Sequence, residues 1–380
     1  GTEVVTDIDV DSSGNAYIVG DYNNSGCTDD QPALEWGDSE VLCYTSYYSI
    51  GGYLAKAEVN GTNDWIRGLL EDSKPFRIDA ISIAEQTDGS FNNIVIAGSI
   101  TSTNGGWDYI IDINDNHVCY SDGFVIEGYT MNLDSDGKCI GSNLGMGFMW
   151  MDENQGSQYL EITDLYVHSD NTQYVTGSFN GQLGFVIYPG VGVASTGGWE
   201  GSGNQDEPYF THSFLGAFGS TSGVSEGNWI QPIVDCDFAD CGSGMEVIST
   251  GLEMDPSGNL IVTGYLRMNN SDSPDAFIAS HLSNGTQSWR ETVGYTTNDT
   301  WLHSWDLEVD GDGVITIVGQ FSGDLTEENT CFCADFGSHN VSSQFRAGFI
   351  ASFDPGSGWV SAHLIGDEEV DGYAGSGQVH

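Results

Sequence analysis

The sequence predicts an all-β protein. Three observations carry that prediction: an alternating apolar phrase that returns along the chain, 52 Gly against only 8 Pro, and no convincing helix-period segment. The clearest copy of the phrase spans 7–20 and reads Asp-Ile-Asp-Val-Asp-Ser-Ser-Gly-Asn-Ala-Tyr-Ile-Val-Gly. Apolar and polar residues alternate, turn formers interrupt them, and alternation resumes until a final Gly. That is the pattern of a tight β-hairpin. Further copies lie at 81–98, 164–177, 251–264 and 306–319.

A second hairpin phrase follows each first one, at 52–65, 123–140, 214–229, 276–289 and 348–359. Asn60-Gly61 and Asn284-Gly285 are expected to supply the positive φ angles of its turn. Trp65, Trp229, Trp289 and Trp359 stand just past that turn. A large ring at one place in each unit reads as packing between units, with sugar stacking as the alternative. Two hairpins make a four-stranded antiparallel sheet, and five such sheets in tandem predict a β-propeller of five blades. The expected organisation is one propeller over 1–380, with repeat units at approximately 1–75, 76–159, 160–245, 246–301 and 302–380. Differences in unit length belong in the loops.

The run from Asp275 to Ser280, Asn284-Gly-Thr-Gln-Ser-Trp289, Val293-Gly294, Leu307-Glu-Val-Asp310 and Val318-Gly319 resembles the SBBP-like β-propeller repeat of large secreted prokaryotic proteins. The resemblance covers nearly the whole chain. It implies an extracellular protein, commonly joined to adhesive or surface-anchoring modules, without common catalytic machinery. The second unit departs from the pattern, lacking the Trp and inserting 87–92 into its first hairpin. Residues 365–380 read as the linker to a new first hairpin. That linker either docks against Val4 to Val10 and closes the ring or leads into a longer array.

The charge excludes some partners. With 56 Asp+Glu against 8 Lys+Arg and a net charge of -48, the chain cannot build a basic groove for nucleic acid, and an anionic membrane surface repels it. Hydrophobic residues still make up 39% of the chain, enough for a core and unlike a disordered acidic tail. Direct membrane insertion is not expected, because the longest apolar stretch, 183–194, is broken by Pro189 and falls short of the roughly 20 residues of a spanning helix. Gly1-Thr2-Glu3-Val4-Val5 has neither the basic start nor the apolar run of a signal peptide. Such an acidic surface suits a saline, halophilic or marine exterior, where salt screens its self-repulsion.

Eight cysteines fall in close pairs: Cys27 with Cys43, Cys119 with Cys139, Cys236 with Cys241, and Cys331 with Cys333. Disulfides in an oxidising exterior are expected, the first two closing loops inside their own blades. The Cys331-Phe332-Cys333 pair is less suited to a disulfide. Glycosylation sequons occur at Asn23, Asn60, Asn269, Asn284, Asn298 and Asn340, each in a predicted turn or loop. Asp9 with Asp11, Asp134 with Asp136, and Asp310 with Asp312 are candidate calcium ligands beside Gly. The alternative is that they only make hairpin turns. Gly223-Val-Ser225-Glu-Gly227 lacks the strand, turn and helix of a hydrolase elbow, and no catalytic residue is assigned.

The expected function is a structural, adhesive or assembly module outside the cell, without catalysis. Its partners would be surface glycans, other extracellular proteins or copies of itself. One alternative is a carbohydrate-binding face built from Trp36, Tyr44, Tyr47, Tyr48, Trp107, Tyr109, Trp199 and Tyr209. The other is a polysaccharide-degrading propeller with a converging carboxylate pair.

Overall fold

The computed structural model describes residues 3–23, 32–42, 50–71, 75–85, 91–100, 108–112, 117–122, 128–140, 146–151, 159–180, 183–188, 212–218, 229–233, 246–267, 274–293, 300–323, 332–343 and 347–366. All regular elements among them are strands, as predicted. The first stretch holds β1 (Glu3–Val10), β2 (Ala16–Asn23), β3 (Pro32–Trp36), β4 (Ser39–Leu42), β5 (Ile50–Ala57) and β6 (Asn63–Glu71). The second holds β7 (Ala80–Glu85), β8 (Phe91–Ser99), β9 (Asp108–Asp112), β10 (His117–Asp122), β11 (Gly128–Leu133) and β12 (Met146–Met151). The third holds β13 (Tyr159–Val167), β14 (Gln173–Asn180), β15 (Leu183–Tyr188), β16 (His212–Phe218) and β17 (Trp229–Pro232). The fourth holds β18 (Glu246–Met254), β19 (Leu260–Arg267), β20 (Asp275–His281) and β21 (Gln287–Val293). The fifth holds β22 (Thr300–Val309), β23 (Ile315–Gly323), β24 (Phe332–Phe336), β25 (His339–Ser343), β26 (Ala347–Asp354) and β27 (Gly358–Ile365).

Each predicted pair of hairpins becomes one antiparallel sheet, except that in the second repeat the hairpin expected at 123–140 closes only a Leu133–Cys139 bridge, and β11 pairs with β12 beyond it. The third, fourth and fifth run in the orders β13-β14-β16-β17, β18-β19-β20-β21 and β22-β23-β26-β27. The first two are wider than predicted. Their outer strands gain partners from the insertion of the following repeat: β9 pairs with β6, and β15 pairs with β12. The first sheet therefore has six strands and the second five. An outer strand presents unpaired amides and carbonyls, and an inserted strand satisfies them. The short hairpins β3-β4 and β24-β25 stand between the second and third strands of the first and fifth sheets.

In the recurring hairpin turn the positive φ expected of each Asn-Gly pair is taken by the Gly alone. At Asp255, for example, the amide accepts no helix-like role but donates to the Asn259 carbonyl, while the Gly258 amide donates to the Asp255 carbonyl. Gly61 and Gly285 take positive φ, but Asn60 and Asn284 do not share it. The loop is a type I turn closed by one left-handed residue, the three-residue hairpin. Asn171, at φ 67°, takes the glycine's place in the third sheet.

The Gly that ends each first hairpin has a different cause. At residues 20, 98, 264 and 319 a Cβ would collide with the carbonyl of Val4, Arg77, Ile248 or His303 across the hairpin. Bulges between Val5 and Asp7, Ser249 and Gly251, and Ser304 and Asp306 bring the carbonyls of Val4, Ile248 and His303 forward.

The chain divides into two compact units, one comprising 1–175, 181–200 and 216–229, the other 176–180, 201–215 and 230–380. In the first, Val19 and Leu54 of the first sheet share a core with Ile81 and Ile96 of the second. Trp65 lies against Gly137 in the outer turn of the second sheet, and Arg67 Nε donates to the Asp136 carbonyl at 3.0 Å. In the second unit, Trp289 of the fourth sheet meets Phe353 of the fifth at 5.5 Å between ring centres. Both tryptophans pack between successive sheets.

Cys119 and Cys139 form a disulfide. Its placement corrects the expected staple inside one blade. Cys119 sits on β10 at the edge of the first sheet, and Cys139 bridges to Leu133 in the second. The bond joins two sheets because the insertion that carries Cys119 has crossed to its neighbour. Cys27, Cys43, Cys236, Cys241 and Cys331 lie outside the described residues, as does the side chain of Cys333.

Candidate functional site

Alternation along β1 puts Asp7 and Asp9 on the side facing β7. Asp7 Oδ2 accepts the Ile81 amide at 2.8 Å, and Asp9 Oδ2 accepts the Ile83 amide at 2.6 Å. The carboxylates thus act as acceptors for the edge amides of the neighbouring sheet. Burial raises the Asp9 carboxyl, against the amide bonds from Ile83 and Val10.

The other acidic candidates cap turns. Asp11 Oδ1 accepts the amides of Ser13 and Asn15 at 3.0 and 2.9 Å, while Oδ2 accepts from Asn15 Nδ2 and the Tyr17 hydroxyl. Burial opposes ionising Asp11, but these bonds outweigh it and hold the carboxyl below its ordinary value. Asp134 Oδ1 takes the Asp136 and Lys138 amides, and Asp310 Oδ1 those of Asp312 and Val314, all at 2.9 Å. Asp255 repeats the arrangement. Asp136 and Asp312 serve these turns through their amides. Among the described residues, no three His, Cys, Asp or Glu side chains converge as metal ligands.

The first unit also gathers groups that sequence reasoning did not single out. Arg77 Nε lies 3.7 Å from Asp21 Oδ2, and Asp21 Oδ1 accepts the Ile78 amide at 3.3 Å. Burial pushes Asp21 up to about 6 against the pull of Arg77. Asp79 is pushed up to about 7 by burial, with Asp21 and Glu161 adding to the rise while the Ser99 hydroxyl and Arg77 oppose it. Glu161 is raised by burial against Arg77. The Tyr129 hydroxyl donates to the Arg77 carbonyl at 2.7 Å and fixes that backbone. Burial favours the protonated form of all three carboxyls beside one guanidinium. Perturbed carboxyls of this kind mark either a working site or a structural network.

Asp79 stands at a recurring position of the repeat. Counting from the carbonyl that opposes the recurring Gly, Asp79 occupies the position of Thr6 and Thr250. Thr6 Oγ1 donates to the Ile78 carbonyl at 2.6 Å, and Thr250 Oγ1 to the Ser304 carbonyl at 3.0 Å. A protonated Asp79 is the one form of that residue with a hydroxyl to offer. The available signal was an Asp where other repeats carry Thr.

In the second unit, the His303 ring stacks on Tyr265 at 3.9 Å and lies 4.7 and 5.7 Å from Trp301 and Trp305. All four are half-buried. Trp36, proposed above for a binding face, instead packs beside the core of Tyr22, Val41 and Ile66, and its Nε1 donates to the Lys56 carbonyl at 3.0 Å. Tyr44, Tyr47, Tyr48, Trp107, Trp199 and Tyr209 lie outside the described residues, as do the side chain of Tyr109 and the motif at 223–227.

Of the sequons, Asn60 and Asn284 occupy exposed turns as expected. Two do not fit the expectation of loops: Asn23 is the last residue of β2, paired with Ile50, and Asn340 is paired with Asp335 within β25. Asn269 and Asn298 lie outside the described residues.

The strands define an all-β protein of tandem antiparallel sheets. No known family matches the chain, and no curated protein matches it. Among solved structures it is similar to a protein of unknown function from Dyadobacter fermentans DSM 18053, at 10% identity over 95% of this chain and 93% of that one, with a TM-score of 0.43.

Proposed function

We propose that the chain is an extracellular structural and assembly module without catalysis, and that its five sheets are blades of a β-propeller. The observation that carries this reading is the use made of the acidic residues. Asp7 and Asp9 bind the next sheet's amides, and Asp11, Asp134, Asp255 and Asp310 close their own turns. The charge stabilises the repeat rather than converging on a substrate. The disulfide between Cys119 and Cys139 supports an oxidising location, and among the described residues no helix is long and apolar enough to cross a membrane.

A second reading, carbohydrate binding, draws support from the rings of Tyr265, Trp301, His303 and Trp305, since half-buried aromatics suit sugar faces. A paired screen tests both. The intact chain is incubated with neutral and acidic polysaccharides for product release and applied to a glycan array. The structural reading expects neither signal. Product release abolished by Asp79→Asn would favour an enzyme, and glycan binding lost in Trp301→Ala would favour the second reading.

A further inference from the structure

Successive sheets are joined at their first strands by bonds that keep one register. Where the first sheet meets the second, Thr6 Oγ1 donates to the Ile78 carbonyl and Asp9 Oδ2 accepts the Ile83 amide, both at 2.6 Å. Where the fourth meets the fifth, Thr250 Oγ1 donates to the Ser304 carbonyl at 3.0 Å. Thr6, Asp79 and Thr250 hold one position, each directly before the residue that pairs next to the recurring Gly: Asp7 with Val19, Ala80 with Ala97 and Gly251 with Thr263. The acceptors also hold one position. Ile78 and Ser304 each stand two residues before such a paired residue, Ala80 and Asp306.

The junction of β7 with β13 keeps this register. Ser82 follows Asp79 by three residues, as Asp9 follows Thr6, and its Oγ accepts the Val167 amide at 3.1 Å. Val167 therefore corresponds to Ile83, and Ile162 to Ile78. Ile162 is buried at 1% exposure, and Glu161 beside it lies near enough to Asp79 to raise its carboxyl. A threonine at 79 would donate to the Ile162 carbonyl. Asp79 has a hydroxyl only when protonated. Its Oδ2 accepts from Ser99 Oγ at 2.8 Å, which leaves Oδ1 for the proton.

We propose that protonated Asp79 donates from Oδ1 to the Ile162 carbonyl, and that this bond makes the junction of β7 with β13 a pH-sensitive joint. Once the proton leaves, a carboxylate faces a carbonyl, two acceptors with no hydrogen between them, and the joint loosens. The hydroxyls of Thr6 and Thr250 give their junctions no such dependence. The groups around Asp79 set the direction. Burial is the largest and favours the neutral form, Asp21 on β2 and Glu161 on β13 act with it, and Ser99 on β8 and Arg77 ahead of β7 oppose it. Tyr129 on β11 holds the Arg77 carbonyl. The carboxyl is raised to about 7, so the joint is closed in mild acid and opens as pH rises through neutrality. It needs neither a closed ring nor a partner, and so stands apart from the assembly function.

Hydrogen exchange of the intact chain at pH 5.5 and 8.5, corrected for intrinsic exchange rates and read by mass spectrometry on peptides covering β13 and β22, tests this. In the parent, protection of β13 should fall about tenfold at pH 8.5, while β22, held by Thr250, keeps its protection. Asp79→Thr and Asp79→Asn each retain a donor and should protect β13 equally at both values. Asp79→Val has the shape of threonine without its hydroxyl and should leave β13 poorly protected at both; undiminished protection of β22 shows that each variant folds. If burial alone held the proton, with no bond to Ile162, Asp79→Val would match Asp79→Thr, and that result would overturn the proposal. So would parent protection of β13 that is independent of pH, or a fall shared equally by β22.

Discussion

Asp79 offers the sharpest test of how acidity is built into the repeat. Its carboxyl rises from an ordinary 3.8 to about 7 in the folded chain, so between these values the folded state holds a proton that the unfolded state has released. Stability must then fall as pH rises from about 4 through 7 and level off above. About three pH units at 1.4 kcal/mol each put the cost of ionising Asp79 near 4 kcal/mol at pH 8.5, and near 1 kcal/mol at pH 4.5. Asp79→Asn keeps an oxygen for the Ser99 hydroxyl, now 2.8 Å from Oδ2, and removes the ionisation. Asp79→Thr restores the residue found in other repeats. Urea unfolding followed by tryptophan fluorescence should show either variant more stable than the parent at pH 8.5, with most of the gain gone at pH 4.5. A gain independent of pH, or a variant less stable at pH 8.5, would refute the assignment of the proton to Asp79.

Other changes probe the remaining devices. Gly264→Ala forces a methyl into the Ile248 carbonyl, whereas Gly311→Ala meets open space; the first should cost about 3 kcal/mol in urea unfolding and the second under about 1 kcal/mol. Asp11→Ala strips the caps from Ser13 and Asn15 and should cost about 2 kcal/mol at pH 7. The parent itself loses the Asp11 contribution only in acid, because that carboxyl is held below its ordinary value. Replacing Cys119 and Cys139 by Ala opens a link across 20 residues and should cost about 3 kcal/mol, with protease cleavage first appearing near β10. Adding a chelator should leave the melting temperature within about 1 °C, since the turn oxygens already hold backbone amides; a larger fall would mean that calcium supports these turns.

The strands and the five pairs of hairpins were legible because alternation is a local signal, fixed by the two-residue period of a strand. The recurring Gly was legible too, but not its reason. At 20, 264 and 319 it answers a bulge across the hairpin, and a bulge leaves no mark in the alternation of the strand opposite. The positive φ expected of Asn60 was misplaced for a related cause: Asn60-Gly61 suits two turn families, and only the backbone distinguishes them. The functions of Asp9 and Asp11 were not separable in sequence, although one residue lies between them. Asp9 reaches into the next sheet and Asp11 folds back on its own turn.

What the sequence determined by itself is the all-β class and the recurring hairpins, both set by spacing along the chain, and closeness along the chain suggested the pairing of Cys119 with Cys139. Tertiary structure alone decided which sheet each insertion joins. It carried β9 to β6 and β15 to β12, turned a local disulfide into a link between sheets, and brought Asp21, Asp79 and Glu161 around Arg77. Those outcomes depend on contacts between residues far apart in the chain, where an unpaired strand edge or a desolvated charge finds its partner only after the sheets have stacked.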